Sequence, residues 1–170
     1  MTVVFFGTGP FGLPSLEALS RSGHSLLAVV TQPDRPSGRN LEPKASAVKK
    51  WAADHSVPVI EFAPGREDAA VGELERLAPD LFIVISFGRL LKKNLLGIPR
   101  KASLNIHASL LPRWRGASPM QSALLSGDTE TGVAVMRMVE ALDAGDMLLS
   151  KRLSIASDET ILGLEPKLSV

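Results

Sequence analysis

Asn105 and His107 stand two residues apart in SLNIHASLLPRWRGASP, residues 103–119, at the end of a short apolar run. In an extended strand this spacing puts both side chains on one face and Leu104 and Ile106 on the other. A neutral amide donor beside a titratable imidazole suits acyl transfer, because the carbonyl oxygen gains negative charge as the tetrahedral intermediate forms. A lone histidine at a strand end is more often a structural residue with a satisfied hydrogen bond, and Asn105 narrows that preference without reversing it. Further along, VEALDAGD supplies Glu140, Asp143 and Asp146 at intervals of three. On a helix they would form an acidic face fit for a hard metal ion, but Ala144-Gly145 and the strand-like flanks favour a loop, and no metal is expected. His24, after Gly23 in a turn, and His55, at the end of a polar helix, lack ligand spacing to His107. A carboxylate beside an imidazole can instead hold the ring and stabilise its protonated form, and one of the three is suited to that task.

The elements that must position these groups read as alternating strands and helices. VVFF, SLLAVV, VPVIEF, DLFIVIS and SLNIH are short runs rich in β-branched or aromatic residues, and polar segments of helical length separate the first four. That order predicts an α/β fold, a mostly parallel twisted sheet with helices on both faces, in which DLFIVIS is a central strand. Ligands of such sheets gather beyond the carboxyl ends of the strands, which here continue as GTGPFG, TQPDRPSGR, SFGRLL and HASLLPRWRG. TGVAVMRM and MLLSKRLSI, joined by VEALDAGD, predict an antiparallel C-terminal hairpin closing one side. SDETILGLEPKLSV starts as a helix N-terminus should but contains Pro166 and has no C-cap glycine, so the sequence reads as cut short.

Composition narrows the function classes. The 170 residues, 45% hydrophobic, suffice for one domain with a real core. A net charge of +1 makes any basic surface local, and the absence of cysteine excludes disulfides, thiolate metal sites and thiol nucleophiles. Val3 to Phe6 is too short an apolar run for a signal peptide or membrane span, so a cytoplasmic protein with no membrane partner is expected.

Residues 7–12, GTGPFG, spell G-x-G-x-x-G behind the first strand. A dinucleotide site also needs an acidic residue at the end of the second strand, which here ends Val29-Val30-Thr31-Gln32. Asp34 lies near the right distance, but between Pro33 and Arg35-Pro36, and Pro10 removes a backbone N–H that would face a pyrophosphate. A tight turn that needs glycine is the better reading, and no NAD is expected. An NAD(P)-dependent oxidoreductase remains the alternative from another class.

Residues 103–148 as a whole, from SLNIH through LDAGDML, resemble the core of the N10-formyltetrahydrofolate-dependent formyltransferases, most closely the tRNA-specific branch. The likeness runs from FFGTGPFG through TQPDRPSGR to the final DET. It implies the formyltransferase variant of the Rossmann-like fold, a cytoplasmic enzyme of translation initiation, and formyl transfer from 10-formyltetrahydrofolate to the α-amino group of methionyl initiator tRNA. It also implies that Asn105, His107 and Asp143 form the catalytic trio. The cosubstrate is implied to meet Phe87, Gly88, Arg89, Leu90 and Leu91 after the fourth strand, and Leu142 and Asp146 of the later loop. Ser109, Leu110, Leu111 and Pro112, with Arg35, Arg39 and Arg115, are implied to contact substrate, and the Leu111–Pro112 bond is implied to be cis. Arg35, Arg39 and Lys44 can meet phosphate, although Asn40-Leu41-Glu42 stand where a glycine and two lysines are common. Arg113 adds positive charge on the same side. Formyltransferases acting on glycinamide ribonucleotide or sugar-nucleotide amines share the trio and remain alternatives. Members of the tRNA branch continue into a linker and a tRNA-binding β-barrel, so residues 1–170 are expected to be the catalytic domain alone, apparently truncated and monomeric.

Overall fold

The first strand, β1 (Thr2–Gly7), is apolar at every inner position because both its faces are covered. Val4 and Phe6 belong to one apolar layer and Val3 and Phe5 to the other, as a two-residue period requires. The computed structural model describes residues 1–37 and 42–169. Beside β1 lie β2 (Ser25–Thr31) and β6 (Leu81–Ile85), both parallel to it. The full sheet is ordered β5-β2-β1-β6-β7-β8-β9, with β5 Val59–Glu61, β7 Ala102–His107, β8 Glu130–Arg137 and β9 Met147–Ser154. Pairing is parallel as far as β7, and then β8 and β9 run antiparallel. The predicted mostly parallel sheet with a C-terminal hairpin is the sheet observed.

Helices cover both faces. The core containing Phe6, Phe82 and Phe62 includes Ala70 and Leu74 of α3 (Glu67–Leu77) and Leu95 of α4 (Lys93–Leu96). Leu16 of α1 (Leu13–Ser20), Val48 of α2 (Ala47–Asp54) and Leu164 of α6 (Ile161–Leu168) join the other core, with Met120 of α5 (Pro119–Leu125) against it. Phe6 packs on Phe82 and Phe87 with ring centroids 4.7 and 5.3 Å apart. Each such ring, fully buried, contributes about 1.5–3 kcal/mol from area alone.

Two segments carry structure that the strand-and-helix pattern left undefined. TQPDRPSGR is not wholly irregular: β3 (Arg35–Ser37) and β4 (Glu42–Lys44) pair antiparallel, with Pro36 opposite Pro43. Proline is tolerated there because this two-stranded ribbon has no third strand needing its missing N–H. The last segment forms α6 with Pro166 inside it, and its N-cap is Thr160, whose hydroxyl accepts from the Gly163 N–H. Pro166 frees the carbonyl of Leu162, a residue 82% exposed, so water can satisfy it.

The glycine turn after β1 is explained by packing. A Cβ on Gly7 would lie 2.7 Å from the Phe5 ring, and one on Gly12 would lie 3.0 Å from it. Pro10 opens a short 3-10 helix, Pro10–Gly12. Asp34 is bound 2.8 Å from Lys49 of α2, which also reaches Glu61 at 2.6 Å. Asp34, then Glu61, holds the Lys49 ammonium above its usual pKa.

Candidate active site

A cleft of about 460 Å³ opens beyond the carboxyl ends of β1, β6 and β7, where the strand order reverses direction. The loop after β6 forms one wall. Ser86 and Gly88 both take left-handed backbone conformations, φ 48° and 75°, turning the chain twice within three residues. The Phe87 carbonyl between them accepts from the Thr8 hydroxyl at 3.1 Å and the Gln32 amide at 2.6 Å. Loops of three strands are thus joined at one oxygen. Phe87 and Leu91 are buried in the core while also bordering the cleft, and Leu90 stands 62% exposed at its rim. Arg89 lies over the Phe62 ring, donates to the Phe62 carbonyl at 3.2 Å and approaches Glu67. The backbone N–H groups that open α3, more than Arg89, hold the Glu67 carboxyl below its usual range.

On the opposite wall, Asn105 and His107 leave β7 on the cleft side, and Asp143 reaches them from the loop after β8. The Asn105 amide nitrogen is 3.3 Å from Asp143 Oδ1, and the Gly116 N–H donates to Oδ2 at 2.8 Å. His107 Nδ1 lies 3.7 Å from the same Oδ2, and both side chains are more than nine-tenths buried. Asp143 points inward because its backbone is left-handed, φ 46°, which a short polar side chain tolerates better than most. Gly145 supplies the close approach: a Cβ there would lie 1.7 Å from the Arg137 carbonyl. The spacing LD-x-GD is therefore a carboxylate on a reversed turn locked against β8. Glu140 and Asp146 of the same loop stay exposed, and no cluster of three metal-ligand side chains forms among the described residues.

The other expected contact residues divide. Phe87 to Leu91 and Leu142 border the cleft, whereas Asp146 does not, its backbone carbonyl being used by the Arg137 N–H at 2.9 Å. Ser109 is fully buried and its hydroxyl donates to the Arg113 carbonyl at 2.6 Å. Leu110 packs on Gly132, where a Cβ would lie 2.6 Å from it, and borders a second hollow of about 260 Å³. None of Ser109, Leu110, Leu111 and Pro112 borders the cleft, and the Leu111–Pro112 bond is cis. Arg115 is exposed, while Arg113 is held by Asp128. Arg39 and the side chain of Arg35 lie outside the described residues. Sequence reasoning missed Thr8, Gln32, Gly116 and Asp128. Of these only Gln32 carried a local signal, a polar residue at the end of an apolar strand.

An open α/β sheet with an amide, an imidazole and a carboxylate converging beyond its strand ends defines a Rossmann-like domain equipped for acyl-type transfer. Residues 1–169 match the family model described as formyl transferase, and the chain belongs to that family. It is 50% identical over 169 residues to a methionyl-tRNA formyltransferase of Legionella pneumophila, an alignment covering 99% of this chain and 54% of that protein. A methionyl-tRNA formyltransferase of Anaeromyxobacter dehalogenans is 46% identical with the same coverage. The chain spans about half the length of these curated relatives. The fold matches a phosphoribosylglycinamide formyltransferase structure from Streptococcus pneumoniae with TM-score 0.81 at 21% identity, covering 98% of this chain and 89% of that one. No helix among the described residues is long and apolar enough to cross a membrane.

Proposed function

We propose that this chain carries the site for formyl transfer from 10-formyltetrahydrofolate to the α-amino group of methionyl initiator tRNA. The observation that carries the reading is the convergence of Asn105, His107 and Asp143 in one cleft with the loop after β6. A folate-type donor is expected of this family, and its flat, polar-edged ring suits the turn from Phe87 to Leu91 with Leu142 opposite. The relatives' names support the tRNA acceptor. Cytoplasmic translation initiation is the matching setting.

The amine attacks as a free base, and an α-amino group titrating near roughly 8 is already partly neutral at pH 7. The site's task is to place the amine against the formyl carbon and to stabilise the oxyanion. Asn105 has two N–H groups and gives one to Asp143, leaving the second for that oxygen. His107 holds the Trp114 carbonyl at Nε2 and faces Asp143 with Nδ1, so it acts on the oxyanion by charge in this arrangement. Asp143, through water, takes the proton that the amine loses as its new C–N bond forms, and returns it to the departing folate nitrogen.

Turnover with 10-formyltetrahydrofolate should be saturable with methionyl initiator tRNA, and His107→Ala should lower it by on the order of 10²-fold. Near-normal turnover of that variant would remove His107 from the mechanism. Formylation of glycinamide ribonucleotide in place of the tRNA would reassign the acceptor.

A further inference from the structure

The loop between β7 and α5 turns at Trp114, whose backbone is left-handed with φ 59°, an unfavourable conformation for a bulky residue. One carboxylate holds it there. The Trp114 indole N–H donates to Asp128 Oδ2 at 2.7 Å. Arg113 donates to the same carboxylate from Nε at 3.0 Å and from Nη2 at 2.6 Å, and its guanidinium lies 4.6 Å over the Trp114 ring. A planar two-point pairing of this kind fixes orientation as well as position. The indole N–H first, then Arg113, holds the Asp128 carboxyl below its usual pKa range.

Asp128 stands outside the cleft, between α5 and β8, yet its grip ends on the catalytic face. The Trp114 carbonyl lies 2.8 Å from His107 Nε2. A carbonyl only accepts, so this contact requires the proton on Nε2. Nδ1 is then the nitrogen presented to Asp143, at 3.7 Å. We propose that Asp128 is a positioning residue for the formyl-transfer site: by clamping Arg113 and Trp114 it keeps the Trp114 carbonyl on His107 and so fixes the tautomer and orientation of the imidazole. The inference rests on the assignment of His107 to that site.

The test reads the ring itself. The protein has three histidines, and His24 and His55 are exposed, so long-range ¹H–¹⁵N correlation spectra of the intact protein can be assigned to His107. In the wild type Nε2 should carry a proton whether the ring is charged, as formyl transfer uses it, or neutral. Asp128→Asn cannot accept from Trp114 and Arg113 as the carboxylate does, and Trp114→Phe keeps the backbone carbonyl but lacks the indole donor. Both should give mixed tautomers and lose kcat on the order of tenfold, with the donor KM within about twofold. The double variant should lose no more than Asp128→Asn alone, since both changes break one linkage. Folded single variants with a wild-type His107 spectrum would overturn the proposal, whatever their kcat, because a merely structural carboxylate leaves the ring unmoved. Full turnover by His107→Ala would instead defeat the functional reading, and the spectra would still decide whether Asp128 sets the tautomer.

Discussion

Gly145→Ala should damage chemistry far more than folding. The added methyl would lie 1.7 Å from the Arg137 carbonyl oxygen and 2.9 Å from its carbon, both backbone atoms of β8 that cannot rotate aside. Real Cβ atoms stay at least 3.0 Å from such neighbours, so the turn must retreat by about 1.3 Å. Overpacking of this kind costs about 1–3 kcal/mol, which for a domain of this size lowers Tm by roughly 2–12 °C. Asp143 sits two residues away on the same turn. A displacement of that size stretches its 2.8 Å bond from the Gly116 N–H to about 4 Å, beyond hydrogen-bond range, and carries the carboxylate away from Asn105 and His107. Misplacement by about 1 Å can cost 10²-fold in rate, so kcat should fall by on the order of 10²-fold while the folded fraction at 25 °C is unchanged. Steady-state formylation beside thermal unfolding of the same samples checks this. Wild-type kcat in a folded Gly145→Ala protein would refute the claim that the turn's closeness to β8 positions Asp143.

Gly88→Ala places a Cβ 2.7 Å from the Gln32 amide at a residue with φ 75°, so it should disturb the Phe87 turn. Donor KM should rise by roughly tenfold with a smaller change in kcat if, as proposed, the turn holds the donor and not the reacting amine. Gly72 in α3 has open space where a Cβ would be, so Gly72→Ala should raise stability by about 0.5–1 kcal/mol, seen as a Tm increase of roughly 1–4 °C. Asp80, whose carboxyl is lowered chiefly by the Thr2 N–H, and Asp128, lowered chiefly by Trp114, contribute stability that is complete above the ordinary aspartate pKa. That contribution is lost as pH falls through their depressed folded values, so the chemical-denaturation midpoint should decline below about pH 4 and do so less steeply in Asp80→Asn.

The strands that carry the site were legible because each repeats a local rule. VVFF and DLFIVIS are apolar without interruption since helices lie on both sides, and Asn105 and His107 share a face because a strand has period two. The trio itself became visible when N-x-H and LD-x-GD were read together as a resemblance. The ribbon of β3 and β4 was hidden by its prolines, which argue against strands wherever a third strand must pair. The bond from Gln32 to the Phe87 carbonyl spans 55 residues, and that from Trp114 to Asp128 spans 14, with no periodicity linking the partners. The packing of Leu110 on Gly132, a residue on another strand, likewise has no signal in the local sequence.

The reversal of strand direction after β7 means that the site is assembled from chain separated in time as well as space. Asn105 and His107 leave the ribosome 38 and 36 residues before Asp143. At synthesis rates of about 5–20 residues per second, a nascent chain carries the amide and imidazole for roughly 2–8 s before the carboxylate that completes them exists. Until β8 doubles back along β7, the turn after β6 and two of the three candidate catalytic groups share an unfinished pocket. The onset of activity in time-resolved cell-free synthesis should therefore trail the formation of the parallel sheet.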